Sequence, residues 1–309
     1  MYFIVLFFTV FFIARVEGLP NITSYQGSIY DTSNTFAKQS AYVYHHHFVD
    51  DAPVKLGQVK HHVFLYDLHD PYHLEYKAFC SGSIISDKKV LTSAHCLLTN
   101  RKRLKYNKAK LKVAAGVLTT LVRLDGKSRI LQSRNISKIY SQYNYRFPYL
   151  NLAVLIIDKP WQYNKIINRI KIATVDHDYD GTCMITNAKP AESWYKKQNL
   201  VTNQVVFVQE DSCEKIFFRP RNYLYCVVYE YTRHVSREAE GGSLVCHGTG
   251  DPDENEFEGI LVGVATVIHV GIPTVFHRVG LFHKWVVDTG HIVTRNNLLW
   301  ILSLGCFLL

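Results

Sequence analysis

The chain carries fifteen histidines and seven cysteines, so metal binding, disulfide formation and imidazole chemistry come first. His45, His46 and His47 are neighbours in a polar stretch, and adjacent side chains of an extended chain point to opposite sides, which denies them a shared ion. His61, His62, His69 and His73 lack the spacing that gathers imidazoles around a metal. No metal and no cofactor is expected. Cysteines 80, 96, 183, 213, 226 and 246 lie in the body of the chain, and Cys306 in an apolar tail. Six thiols allow fifteen pairings, and spacing alone does not choose among them. Residues 101 to 112 hold Arg101, Lys102, Arg103, Lys105, Lys108, Lys110 and Lys112. The plain reading is a solvated loop leading into a strand. The functional one is a site for a polyanion, either a heparin-like glycan or an acidic protein surface.

The elements that must position these groups are short and β-like. An apolar fraction of 48% with 20% charged residues excludes a disordered chain, and 309 residues suffice for a sizeable core. Apolar or alternating runs at Val63–Tyr66, Ser83–Ile85, Val90–Thr92, Leu111–Val113 and Leu152–Ile157 serve the first half. Val201–Val208, Tyr223–Val228, Gly259–Val267 and Thr274–Phe276 serve the second. Many short strands at even spacing indicate a barrel or sandwich. Only Leu281–Asp288 reads as helical, and Pro160-Trp161 marks a joint between two halves.

Residues 1–18 have the apolar run and small-residue cut site of a secretory signal peptide, and 19–53 read as a polar extension. At the other end, Asp288-Thr289-Gly290 precedes a polar spacer and an apolar tail within 291–309. That order fits a glycosylphosphatidylinositol (GPI) attachment signal, against the plainer reading of a tail that packs on the domain. The sequons at Asn21 and Asn135 are glycosylation candidates for an exported chain. Thirty-five basic against 26 acidic side chains give a net +9, which favours anionic partners. In a secreted protein these are glycans or acidic proteins, and nucleic acid is not expected.

Local sequence around the cysteines is more specific. Cys80-Ser81-Gly82-Ser83-Ile84-Ile85, followed by Val90-Leu91-Thr92-Ser93-Ala94-His95-Cys96, resembles the trypsin/chymotrypsin-like serine peptidases, where such a box presents the catalytic histidine. Gly181-Thr182-Cys183, the pair Cys213 and Cys226, and Gly241-Gly242-Ser243-Leu244-Val245-Cys246 follow in family order. Leu261–Val264, Pro273–Phe276 and Trp285-Val286 match the pocket strands and the terminal helix. The resemblance spans 54–290. It implies an all-β fold of two six-stranded antiparallel barrels with a short C-terminal helix. It also implies disulfides Cys80–Cys96, Cys183–Cys246 and Cys213–Cys226. A fourth family bridge lacks both partners, with Ser236 at one position.

The family's chemistry needs a serine, a histidine that takes its proton, and a carboxylate that orients the imidazole. His95 is present. At the acid position, Leu150-Asn151-Leu152-Ala153 supplies Asn151. The nucleophile box reads Glu238-Ala239-Glu240-Gly241-Gly242-Ser243, so Glu240 replaces the serine and places negative charge where an oxyanion would develop. Glu238 replaces a glycine whose amide helps form the oxyanion hole. Ala239 replaces the acid that pairs with the new N-terminus of a cleaved zymogen, and the counterpart of that start is Val54-Lys55-Leu56-Gly57 after Pro53. His234 takes the pocket floor, Thr266 lies in its wall, and Ile268 and Thr274 stand at family glycine positions and crowd it.

The resemblance therefore implies a secreted, non-catalytic homologue that acts by binding, as a regulator or cofactor of proteolysis, with a peptidase, inhibitor or surface receptor as protein partner. Two other readings compete. One is an active hydrolase with altered catalytic groups, using Ser81, Ser83 or Ser243. The other is a GPI-anchored surface binding module. An ion pair between Glu240 and His95 is a further expectation.

Overall fold

The segment His62-Val63-Phe64-Leu65-Tyr66 is buried on both faces, as suits a strand flanked on either side and covered above and below. It opens β2 (His62–Asp70) in a computed structural model that describes residues 52–126, 128, 130–179, 182–188, 197–208, 223–228, 236–267 and 274–290. The signal segment, the extension up to residue 51 and the tail 291–309 lie outside the described residues, as do Asn21, Cys213, His234 and Ile268. None of the described helices is long and apolar enough to cross a membrane.

The first half runs through β2, β3 (Glu75–Ile84), β4 (Lys89–Ser93), β5 (Leu111–Ala115), β6 (Leu121–Arg123), β7 (Gln132–Arg134), β8 (Ile136–Ser141) and β9 (Leu152–Ile157). Their antiparallel sheet has the order β7-β5-β2-β3-β4-β9-β8, with β6 added on β3. Six strands were expected here. The extra ones arise because the 75–84 run is long enough to pair with β2, β4 and β6 along its length. No described pairing joins β7 to β8, so this sheet is a half-barrel.

The second half comprises β10 (Thr182–Ala188), β11 (Leu200–Phe207), β12 (Leu224–Val228), β13 (Ser243–His247), β14 (Ile260–Val267) and β15 (Thr274–Arg278). They follow the order β11-β10-β13-β14-β15-β12, and β12 returns to β11, closing a six-stranded barrel. A two-residue strand, β1 (Ala52–Pro53), adds to β11 from outside, and Val54 beyond it is buried with its amide on the Leu200 carbonyl at 3.1 Å.

Each sheet has its own apolar core: Val63, Leu65, Ile84, Val113 and Leu155 in the first, Val227, Leu244, Val262 and Phe276 in the second. A third cluster joins Leu91, Leu152 and Val154 of the first half to Val245, Leu261 and Val264 of the second. Helix α2 (His283–Asp288), entered from the 3-10 turn Gly280–Phe282, seats Val286 in that cluster. Alternation along β4, β9 and β14 thus feeds two interiors and the seam between them. Disulfides Cys80–Cys96 and Cys183–Cys246 form as the resemblance implies. Cys226 is also disulfide-bonded.

Candidate active-site cleft

The turn that carries His95 is α1 (Ala94–Leu97), a single helical turn with no side-chain cap at Ser93 and all four residues buried. So short a helix has no stability of its own; its neighbours hold it. Pairing of β4 with β9 sets Ser93 opposite Leu152, which brings Asn151 to the start of the turn. The Asn151 carbonyl accepts the Ala94 amide at 3.1 Å, and its side-chain Oδ1 accepts the His95 amide at 2.8 Å.

That second bond fixes the amide. With Oδ1 committed to a backbone N–H, Nδ2 faces His95 Nδ1 at 2.7 Å. Nδ2 is a donor only, so Nδ1 must accept, and the proton of the neutral ring lies on Nε2. On the far side Nε2 meets Glu240 Oε2 at 2.8 Å, with side-chain exposures of 11% for His95 and 22% for Glu240. The ring is held between an amide that donates and a carboxylate that accepts. A general base needs the reverse: a free lone pair on Nε2 and an acceptor behind Nδ1.

Glu240 is placed by the 3-10 turn Arg237–Ala239 and by Gly241. Gly241 adopts φ of +79°, and a Cβ there would sit 2.2 Å from Thr92 Oγ1 and 2.4 Å from the Ser81 carbonyl, so only glycine fits. The Glu240 carbonyl accepts the Ser81 amide at 2.8 Å, and the Gly241 amide reaches the Ala265 carbonyl at 2.9 Å. The amide of Glu238, at the position of an oxyanion-hole donor in the family, points instead to Ser236 Oγ at 3.2 Å. The Ser236 hydroxyl in turn donates to the Glu238 carboxylate, and the Glu238 carbonyl accepts from Ser81 Oγ at 2.6 Å. The polar groups of this loop are thus taken up by Ser236 within it and by Ser81 and Ala265 beside it.

The alternative serines are elsewhere. Ser81 is engaged as above, Ser83 is buried with its hydroxyl unbonded, and Ser243 Oγ lies 3.2 Å from His61 Nε2 in the interior. None is bonded to His95. Cys80 and Cys96 approach His95 closely enough to suggest a metal site, but their sulfurs are joined to each other and offer no thiolate.

Sequence reasoning missed His277. It is fully buried on β15, and its Nε2 accepts the Asn151 amide at 2.8 Å. Burial pushes its pKa down to about 4, so it stays a neutral acceptor beneath Asn151. Only its alternation within β15 hints at an inward position. Phe147 packs edge-on against the His95 ring, with ring centres 5.1 Å apart. Of the pocket residues, Thr266 and Thr274 are buried, and His234 and Ile268 lie outside the described residues.

The basic run is divided. The ammonium of Lys105 bonds the His95 carbonyl, within electrostatic reach of Glu240, although the residue as a whole is exposed. Lys102 bonds the Tyr143 carbonyl, Lys108 the Ser137 carbonyl at 2.5 Å, and Lys112 the Asn135 Oδ1 at 2.5 Å. Arg101, Arg103 and Lys110 are exposed. The sequon residue Asn135 is exposed, with its Nδ2 donating to Asp158 at 2.6 Å. A separate cavity of about 510 Å³ is lined by Tyr163, Arg169, Lys171, Asn255 and Glu258, none of them a residue of the cleft described above.

Comparison with known proteins places this architecture. Among characterised proteins, the chain is similar to coagulation factor IX of Cavia porcellus, 27% identical over 198 residues, covering 60% of this chain and 61% of that one. It is also similar to trypsin I-P1 of Gallus gallus, 24% identical over 226 residues, covering 72% and 82%. The chain thus spans about three fifths of the length of the factor IX it matches. Among solved structures, neuropsin, a serine protease expressed in the limbic system of mouse brain, shares the fold with a TM-score of 0.59. It is 15% identical, covering 78% of this chain and 98% of that one. The family model for trypsin matches residues 49–286, and the chain belongs to the trypsin family.

Proposed function

We propose that this is a non-catalytic member of the trypsin family, an extracellular protein whose two-sheet scaffold acts by binding, as a regulator or cofactor of proteolysis. The observation that carries this reading is the hydrogen bond from His95 Nε2 to Glu240 Oε2 at 2.8 Å. A carboxylate occupies the position where the family's reaction needs a neutral hydroxyl. It is a weak nucleophile towards an amide, and its charge opposes the charge of the oxyanion. Asn151 adds to this by presenting a donor to Nδ1, and the Glu238 amide adds to it by facing Ser236. The disulfides suit an oxidising, extracellular compartment.

The test is exposure of the purified protein to a fluorophosphonate probe, beside a panel of fluorogenic peptides. Neither labelling nor cleavage is expected. Labelling at a defined serine, with turnover that survives Glu240→Ala and is lost in His95→Ala, would overturn the reading and favour an active hydrolase with a relocated nucleophile. Partner capture with the intact protein then identifies the peptidase, inhibitor or receptor it engages. Release from cells by a phosphatidylinositol-specific phospholipase separates an anchored form from a free one.

A further inference from the structure

Segments 100–112 and 135–147 run beside each other in opposite directions, tied at four points. Asn100 Oδ1 accepts the Phe147 amide at 2.9 Å, and Lys102 bonds the Tyr143 carbonyl with its ammonium 5.1 Å above the Tyr143 ring. Further along, Lys108 reaches the Ser137 carbonyl and Lys112 reaches Asn135. The two segments together contain nine cationic residues, the seven of the basic run plus Lys138 and Arg146, and no acidic one. Lys105 bonds the His95 carbonyl instead of the neighbouring segment. Arg101, Arg103, Lys110, Lys138 and Arg146 are exposed, and among the described residues none of the five has an ion-pair partner, whereas Lys60, Lys171 and Arg278 are paired with Glu258, Asp253 and Asp176.

We infer that this strip is a binding site for a linear sulfated glycan. Like charges gathered along one line repel each other and persist at a cost that a polyanion relieves. The four ties reduce the freedom that a charged loop would lose on binding, so less of the attraction is spent on ordering. A linear chain with sulfates along its length meets successive cations at successive points. An acidic protein surface would require an apolar centre to its interface. Here the exposed apolar side chains, Leu104, Tyr143 and Phe147, are confined to one end of the strip. The acids that border it, Glu240 and Asp67 near Tyr106 and Asp158 at Asn135, mark its edges. This site is independent of whether the cleft is catalytic.

The experiment is binding of the intact protein to immobilised heparin across a salt series, against chemically desulfated heparin and poly-glutamate. Tight, salt-sensitive retention on heparin alone is expected. Neutralising Arg101, Arg103, Lys110, Lys138 and Arg146 to Gln lowers that affinity at least tenfold. Neutralising five exposed cations elsewhere, Lys55, Lys88, Lys159, Lys165 and Arg169, changes net charge equally and lowers it much less. Equal losses in the two variants would reduce the effect to net charge and overturn the proposal. Equal or tighter retention on poly-glutamate would assign the strip to an acidic protein instead. All ten positions are exposed, and a circular dichroism spectrum checks that both variants fold.

Discussion

Asn151 holds His95 from behind with both ends of its amide, Oδ1 on the backbone N–H at 2.8 Å and Nδ2 on ring Nδ1 at 2.7 Å. An aspartate could take both contacts as an acceptor. Asparagine takes one as a donor, and that single difference sets the tautomer of the ring. The proton then stands on Nε2, which donates to Glu240, and the three residues form one hydrogen-bonded chain.

Restoring the serine alone therefore fails. Glu240→Ser is expected to show no fluorophosphonate labelling above background, because Nε2 still carries a proton. Adding Asn151→Asp reverses the tautomer and should raise the labelling rate by about 10³ to 10⁴, the scale of an acid-to-amide change in this family. The double variant should stay below an intact peptidase, since the Glu238 amide faces Ser236. Equal labelling of single and double variants would contradict the tautomer argument.

Three buried histidines make stability depend on pH. Burial pushes His61 and His277 down to about 4 and, with His61 adding to the effect, His62 to about 3. Both His62 ring nitrogens are buried without a hydrogen-bond partner. Each histidine has a lower pKa folded than its ordinary 6.5, so the unfolded chain binds the proton first. Stability is full above about pH 6.5 and falls as pH drops towards 4, by about 1.4 kcal/mol per pH unit for each histidine. Urea midpoints at pH 7, 6 and 5 should decline in order, and His62→Phe should make the decline shallower. A midpoint unchanged down to pH 5 would refute this.

Asp251 is 5% exposed and accepts the Thr174 amide at 2.7 Å, its hydroxyl at 2.9 Å, the Val175 amide at 3.1 Å and the Asp253 amide at 3.0 Å. Burial works against its charge, but these bonds outweigh it and hold the carboxyl below its ordinary value. Asp251→Ala strands the donors and is expected to cost about 2–4 kcal/mol in chemical denaturation. A loss under 0.5 kcal/mol, the scale of an ordinary surface substitution, would show the carboxylate to be dispensable.

Gly241→Ala should destabilise the protein by about 2–4 kcal/mol, because its Cβ would collide with Thr92 and the Ser81 carbonyl at a positive φ. Thermal melting measures this, and Gly126→Ala, also at positive φ but with nothing within 4 Å, serves as the comparison that isolates the collision from backbone strain. Equal shifts in the two would remove the steric argument.

Apolar runs and alternation made most strands legible: Leu152–Ile157 is β9 to the residue, and Leu281–Asp288 covers the end of the 3-10 turn and α2. The short pieces β1, β6, β7 and β8 were not legible, since two to six residues of mixed polarity carry no periodic signal, and β10 and β13 were not read as strands either. His95, Asn151 and Glu240 were marked by their local boxes. The bond of Lys105 to the His95 carbonyl was hidden within a run of like charges.

By itself the sequence determined which chemical groups are present: an imidazole, an amide where the family has an acid, a carboxylate where it has a hydroxyl, and cysteines able to bridge. Tertiary structure decided what each group faces. His95 and Glu240 are 145 residues apart, and His277 lies 126 residues beyond the Asn151 it supports. The ties of 100–112 to 135–147 likewise join segments that are remote in the chain. Local propensity reports on neighbours a few positions away, whereas donor and acceptor roles are assigned by whatever the packed strands bring within about 3 Å, and that is a property of the fold.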